Sequence, residues 1–154
     1  MKRKLLYGFG IVVALAIIAF AYYAISPLFM HIRVDEKAPM TQNKENPISV
    51  PITGTTGHPA SGTVQVIEAE AKTYIRYENF KTINGPDLYV YLAKDLDAKE
   101  HANLGTLRAT EGNVNYEIPS DVNVKDYKYV MVWCKQFGVL FNYAEISNGA
   151  QKKL

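Results

Sequence analysis

Residues 129–146 read YVMVWCKQFGVLFNYAEI, and the two apolar runs in this stretch decide the fold. Tyr129–Cys134 and Val139–Ile146 are short and rich in Val, Tyr, Phe, Met and Trp. Half-buried pleated surfaces favour these residues. In the first run, strand alternation puts Val130, Val132 and Cys134 on one face and Tyr129, Met131 and Trp133 on the other. Working outward, Thr63–Glu70, Thr73–Phe80, Leu88–Leu92 and Val114–Ile118 have the same character. Asn84-Gly85-Pro86-Asp87, Glu111-Gly112-Asn113 and Pro119-Ser120-Asp121 supply turn signals between them. Helical periodicity is weak, and one short helix is predicted over 95–104. The expected fold is all-β: a single antiparallel β-sandwich or barrel-like domain over residues 57–148, followed by a tail at 149–154.

The N-terminus is of another kind. Leu5 to Phe29 is free of charge, and Lys2, Arg3 and Lys4 precede it. About 20 apolar residues in a helix cross the hydrocarbon core. Residues 1–30 are therefore expected to be a cytoplasmic basic tip and a transmembrane anchor, with Tyr22 and Tyr23 near its outer end. Ala19-Phe20-Ala21 offers the competing reading, a cleaved signal peptide and a secreted domain. Either way the β domain is expected outside, on the cell membrane as a single-pass protein if the anchor stays. Residues 31–56 read as a linker, because Pro39, Pro47, Pro51 and Pro59 fall among polar residues between Asp35 and Pro59. Order is expected to begin near Gly57.

Composition narrows the function. The chain has 17 basic and 15 acidic residues, and three of the basic ones belong to the N-terminal tip. What remains is almost neutral, without the basic patch that nucleic acid requires. No paired Cys-x-x-Cys, covalent-haem Cys-x-x-Cys-His, nucleophile elbow, zinc-protease or phosphate-loop pattern occurs. Cys134 is the single cysteine, so an internal disulfide cannot form. Two readings stand for it: a small core hydrophobe, or a thiolate with redox or ligating chemistry. His58, held in Gly57-His58-Pro59, is a candidate second ligand, while His31 and His101 are expected at the membrane edge and in a polar loop. Twelve of the 18 aromatic residues lie beyond Met30, eight of them tyrosines, enough for a binding face, a relay or simply core and rim.

Three segments together resemble one family: Gly57–Val64, Glu78–Leu92, and Val132–Phe137 followed by Phe141 and Ala144. They are similar to the DM-thirteen domain, described as an electron-transfer module. Gly105, Leu107, Gly112, Tyr116, Ile118 and Pro119 fit its middle. The resemblance implies an all-β domain whose hallmark cysteine corresponds to Cys134, and an early histidine corresponding to His58. It implies that the cysteine works either as a naked thiol or as a ligand to a prosthetic group such as haem. Relatives carry the domain beside DOMON haem-binding domains and membrane b-type cytochromes. Here neither is present, so a redox partner is expected to be a separate protein.

Two functions follow. The first is a membrane-tethered extracytoplasmic redox or electron-transfer module centred on Cys134. The second is a non-catalytic cell-surface binding module that uses an aromatic face, with Cys134 as core packing.

Overall fold

The computed structural model describes residues 2–40, 47, 49–69 and 71–147. Glu70, residues 41–46 and 48 of the expected linker, and the expected tail at 149–154 lie outside them. Helix α1 spans Lys2–Ile25 and is continued by a 3-10 turn over Ser26–Phe29, where Pro27 occupies the first turn that tolerates it. Tyr7–Ile25 covers 19 residues with a mean hydropathy of 2.3 and none of that surface buried. At 1.5 Å per residue this segment is about 28 Å long, enough to cross a membrane.

Ten strands follow: β1 (Arg33–Asp35), β2 (Val50–Pro51), β3 (Thr53–Gly54), β4 (Ala60–Ala69), β5 (Lys72–Thr82), β6 (Leu88–Ala93), β7 (His101–Thr106), β8 (Glu111–Glu117), β9 (Tyr129–Cys134) and β10 (Val139–Glu145). They form two five-stranded sheets, β1-β8-β5-β4-β2 and β3-β10-β9-β6-β7. The sheets enclose one core. β4 and β5 supply Val64, Val66, Ile75, Tyr77 and Phe80 from the first sheet, and Val90, Leu92, Val130, Val132 and Phe141 come from the second. The all-β sandwich is therefore as expected, and each of the six runs coincides with a strand, except that Glu70 lies outside the described residues and Ile118 and Ile146 follow the ends of β8 and β10.

Three features differ from expectation. No helix forms over 95–104. Instead Asp95 Oδ1 accepts from the Asp97 and Lys99 amides at 2.9 and 3.2 Å, and Ala98 takes φ +52°. An aspartate that bonds its own backbone in this way diverts the chain from helix into a turn, and β7 begins three residues after Ala98. His101 consequently lies on a strand rather than in a loop. Order also starts well before Gly57, since β1, β2 and β3 are strands and Ile52 is buried. Finally, β1 pairs with β8 in parallel, whereas the other pairings are antiparallel.

The β1 pairing is tightly sewn. The Ile32 carbonyl accepts from the Thr110 and Glu111 amides at 2.8 and 3.1 Å, and the Ile32 amide donates to Thr110 Oγ1 at 2.8 Å. Glu36 receives Arg108 Nη1 and the Asn115 amide, each at 2.8 Å. Buried Arg76 donates to Glu78, to Asn115 and to the Glu36 carbonyl, so its charge is paired where water does not reach. Gly112 makes the approach feasible. Its φ is +108°, and a Cβ there would lie 2.0 Å from the Val34 carbonyl oxygen.

Gly112→Ala is expected to displace β1 and to cost about 1–3 kcal/mol, the range for a strained backbone position. Amide exchange should accelerate at Thr110 and Glu111, and unchanged protection there would refute this account.

Tyr77 carries a second, independent expectation. Its ring packs on Phe80 and Tyr116, with centroids 4.7 and 5.9 Å away, and its buried hydroxyl has no hydrogen-bond partner among the described residues. An unsatisfied buried polar group costs about 1–3 kcal/mol, so Tyr77→Phe should raise stability by about 1 kcal/mol in denaturant titration. Burial raises the pKa of both Tyr77 and Tyr116 above that of a free tyrosine, and Tyr116 adds to the effect on Tyr77. The unfolded chain therefore sheds these protons first. Stability should be full below about pH 10 and fall as pH climbs further. Tyr77→Phe should flatten that fall, and an unchanged alkaline slope would argue against it.

Candidate functional site

Cys134 is the last residue of β9, paired with Leu88 at the start of β6 and with Val139 at the start of β10. Alternation along β9 sends it inward with Val130 and Val132, and its exposure is 0%. The next residue, Lys135, ties this strand end to the preceding turn, its amide donating to the Asp87 carbonyl at 2.9 Å. The turn is Asn84–Asp87, where Asn84 Oδ1 accepts from the Gly85 amide at 2.9 Å. Gly85 is closely packed: a Cβ would lie 3.0 Å from Phe141 Cζ and 3.1 Å from Leu88 Cδ2, so those side chains would have to give by a few tenths of an ångström.

Phe141 joins this turn to the histidine loop. A bulge between Leu140 and Asn142 lets both Phe141 and Asn142 turn inward, where Asn142 Nδ2 donates to Thr82 Oγ1 at 3.1 Å across the two sheets. The other side of the Phe141 ring takes His58, with centroids 4.0 Å apart and planes 31° apart. Thr55 fixes that histidine. Its amide donates to the Phe141 carbonyl at 3.1 Å, and its hydroxyl lies 2.7 Å from the Leu140 carbonyl and 3.2 Å from His58 Nδ1. One hydroxyl carries one proton, and the carbonyl takes it. The Thr55 oxygen is then left to accept from Nδ1 of His58.

The Gly57–Val64 segment, the Asn84–Leu92 segment and the Trp133–Phe137 segment thus meet at one end of the sandwich, with Phe141 between them. Cys134 and His58 are singled out by the sequence as rare residue types, whereas the hydroxyl of Thr55 carries no pattern signal and the joining role of Phe141 comes only from the fold.

Cys134 and His58 lie at the same end of the sandwich, with the thiol in the core. Among the described residues no group of three His, Cys, Asp or Glu side chains is placed to hold a metal ion. A haem needs a slot whose wall presents the ligand atom, whereas Cys134 is sealed in the core. A polar cleft of about 330 Å³ lies beside Arg33, Asp35, Asn79, Lys81 and Glu111. An apolar groove of about 550 Å³ runs along Ile18, Tyr22, Ile25 and Met30. Neither is lined by Cys134 or His58.

Behind Cys134, the outer face of the same sheet is aromatic. Trp133 stands opposite Tyr89 on β6 and Leu140 on β10, and Met131 opposite Tyr91 and Tyr143. Tyr89 and Tyr91 have centroids 6.0 Å apart, and His101 stacks on Tyr91 at 4.1 Å. Burial raises the ionisation of the Tyr91 hydroxyl, with Tyr89 and Asp87 adding to it.

A family model described as electron transfer DM13 matches residues 53–146. No curated protein and no solved structure matches the chain. The match spans more than half of the 154 residues and contains the three converging segments, and the chain belongs to the electron transfer DM13 family.

Proposed function

We propose that this protein is a membrane-tethered redox module whose β domain lies outside the cytoplasm and whose redox centre is the naked thiol of Cys134. One observation carries the choice of a naked thiol over a ligand. Cys134 is fully buried at the point where the family's segments converge, with no metal-holding cluster among the described residues. A sealed sulfur cannot meet a disulfide, a metal or a porphyrin without local opening, but electrons cross a protein wall that atoms do not. Oxidation passes one electron to the partner and one proton to water when the strand end opens locally, leaving a thiyl radical, and reduction returns both. The electron goes to and comes from a separate one-electron redox protein. Trp133, adjacent in the chain and on the outer face, supplies the shortest covalent route to that surface. Helix α1 is the tether, with its basic tip in the cytoplasm. Nucleic acid has no place in this reading.

A second reading draws on the aromatic outer face of β6, β9 and β10. There the protein is a non-catalytic surface binding module, and Cys134 is packing.

The test compares the full chain in detergent with its Cys134→Ala variant, each titrated with a substitution-inert one-electron metal-complex oxidant and, separately, with haemin. The folded wild type is expected to consume one oxidant equivalent that the variant does not. Haemin spectra should be the same for both. Equal oxidant consumption would remove Cys134 as the redox centre and favour the binding module. A saturable Soret shift that the variant loses would replace the naked thiol with a haem ligand.

A further inference from the structure

The way the chain leaves α1 fixes which end of the sandwich faces the membrane. Only Met30, His31 and Ile32 separate the 3-10 turn ending at Phe29 from β1. Four residue steps reach at most about 14 Å, even fully extended. β1 runs parallel to β8 from Arg33↔Glu111, so the chain arrives at the end of the sandwich where β8 starts. Thr82 closes β5 at that end, with its amide on the Thr110 carbonyl at 2.9 Å. The Asn84–Asp87 turn comes next, and it holds the Cys134–Lys135 end of β9. Two contacts join this end to the helix directly. Tyr23 donates its hydroxyl to Gln136 Oε1 at 2.9 Å, and Asn84 Nδ2 donates to the Met30 carbonyl at 3.4 Å.

The tip of the β9–β10 hairpin, residues 135–138, is therefore beside the outer end of α1. It carries Phe137, which is 47% exposed, the one exposed large apolar side chain among the described residues from Val50 onward. Met30 at 59% and Ile32 at 43% continue the apolar rim from the helix to the domain. At this end Arg33 is paired with Glu111 at 3.1 Å and the Lys135 ammonium lies 5.4 Å from the centroid of the Tyr89 ring, so the exposed ring of Phe137 is the apolar contact offered to lipid.

We infer that the Cys134 end of the domain rests on the bilayer, with Phe137 seated in the interfacial layer of the outer leaflet. This rests on the reading of α1 as a membrane anchor. The occupant is lipid itself, and an aromatic ring at the tip of a turn suits the headgroup–acyl boundary. The sandwich stands upright on this end, its opposite turns about 20 Å away along the seven residues of β8.

Depth-dependent quenching on the full chain in phosphatidylcholine vesicles tests this. In a Cys134→Ala background, Phe137→Cys, Ser120→Cys and Ala14→Cys each carry one environment-sensitive fluorophore. The same three substitutions in the wild-type chain, whose own thiol is buried, cover the case in which the background variant folds poorly. Nitroxide lipids labelled near the headgroup should at least halve emission at position 137 and leave position 120 unchanged. Aqueous iodide should do the reverse, and position 14 should respond to nitroxide placed deep in the acyl chain. Iodide quenching at 137 with the helix label still quenched by lipid would keep the anchor and overturn the inference. Protection of 137 from both quenchers would assign the tip to a protein contact, a second copy of the chain included, and also overturn it. Failure of position 14 to respond to lipid would overturn the anchor reading and the inference with it.

Discussion

The close pass of β1 over Gly112 is the constraint on which the rest of the arrangement depends. A side chain at that position would occupy the Val34 carbonyl, so the strand leaving the helix lies flush against β8 only because none is there. Once the pass is made, Ile32, Asp35 and Glu36 all find partners on β8 and the residues beside it. The segment that follows α1 is then an edge strand of the sandwich. It fixes an orientation that a flexible tether would leave free, and it also covers an edge of the sheet that would otherwise offer unpaired backbone groups.

Cys134 and His58 reach the same end of the molecule by different means. β9 delivers the cysteine through strand alternation, with Leu88 and Val139 as lateral neighbours. The histidine is placed by a tight loop that Thr55 clamps to β10. Phe141 links the two, stacking on the histidine with one side of its ring and closing over Gly85 with its tip. Glycine at 85 and aromatic character at 141 are thus two halves of one packing requirement.

The sandwich was legible because its long strands each pack one face in a common core, and that imposes period-two patterning and β-branched or aromatic composition. The face of β9 that holds Cys134 follows from the same rule. The short strands were not legible. Two or three residues such as Thr53–Gly54 have no periodicity to read, and they are strands only because β10 and β4 accept their backbone groups. The turn after Asp95 was lost for a similar reason: a single carboxylate bonding two amides outweighed the weak helical tendency of its neighbours. At the site, Cys134 and His58 stood out as rare residue types. Thr55 did not, because a hydroxyl gains its role only from the carbonyls that the fold brings to it.

Burial of the thiol and the orientation of the domain constrain the chemistry jointly. An exposed cysteine on a mobile stalk would suit exchange with many soluble partners. In the proposed orientation, a sealed one leaves two routes to its sulfur: through the protein layer at the end where α1 joins the domain, or outward through Trp133 and the tyrosines of β6. Both are routes for electrons rather than for atoms, and that is the property an electron-transfer family requires. The aromatic face that the binding-module reading invokes lies directly behind the cysteine across a single strand, so the two readings use the same surface. What distinguishes them is whether the residue beneath that surface changes its redox state.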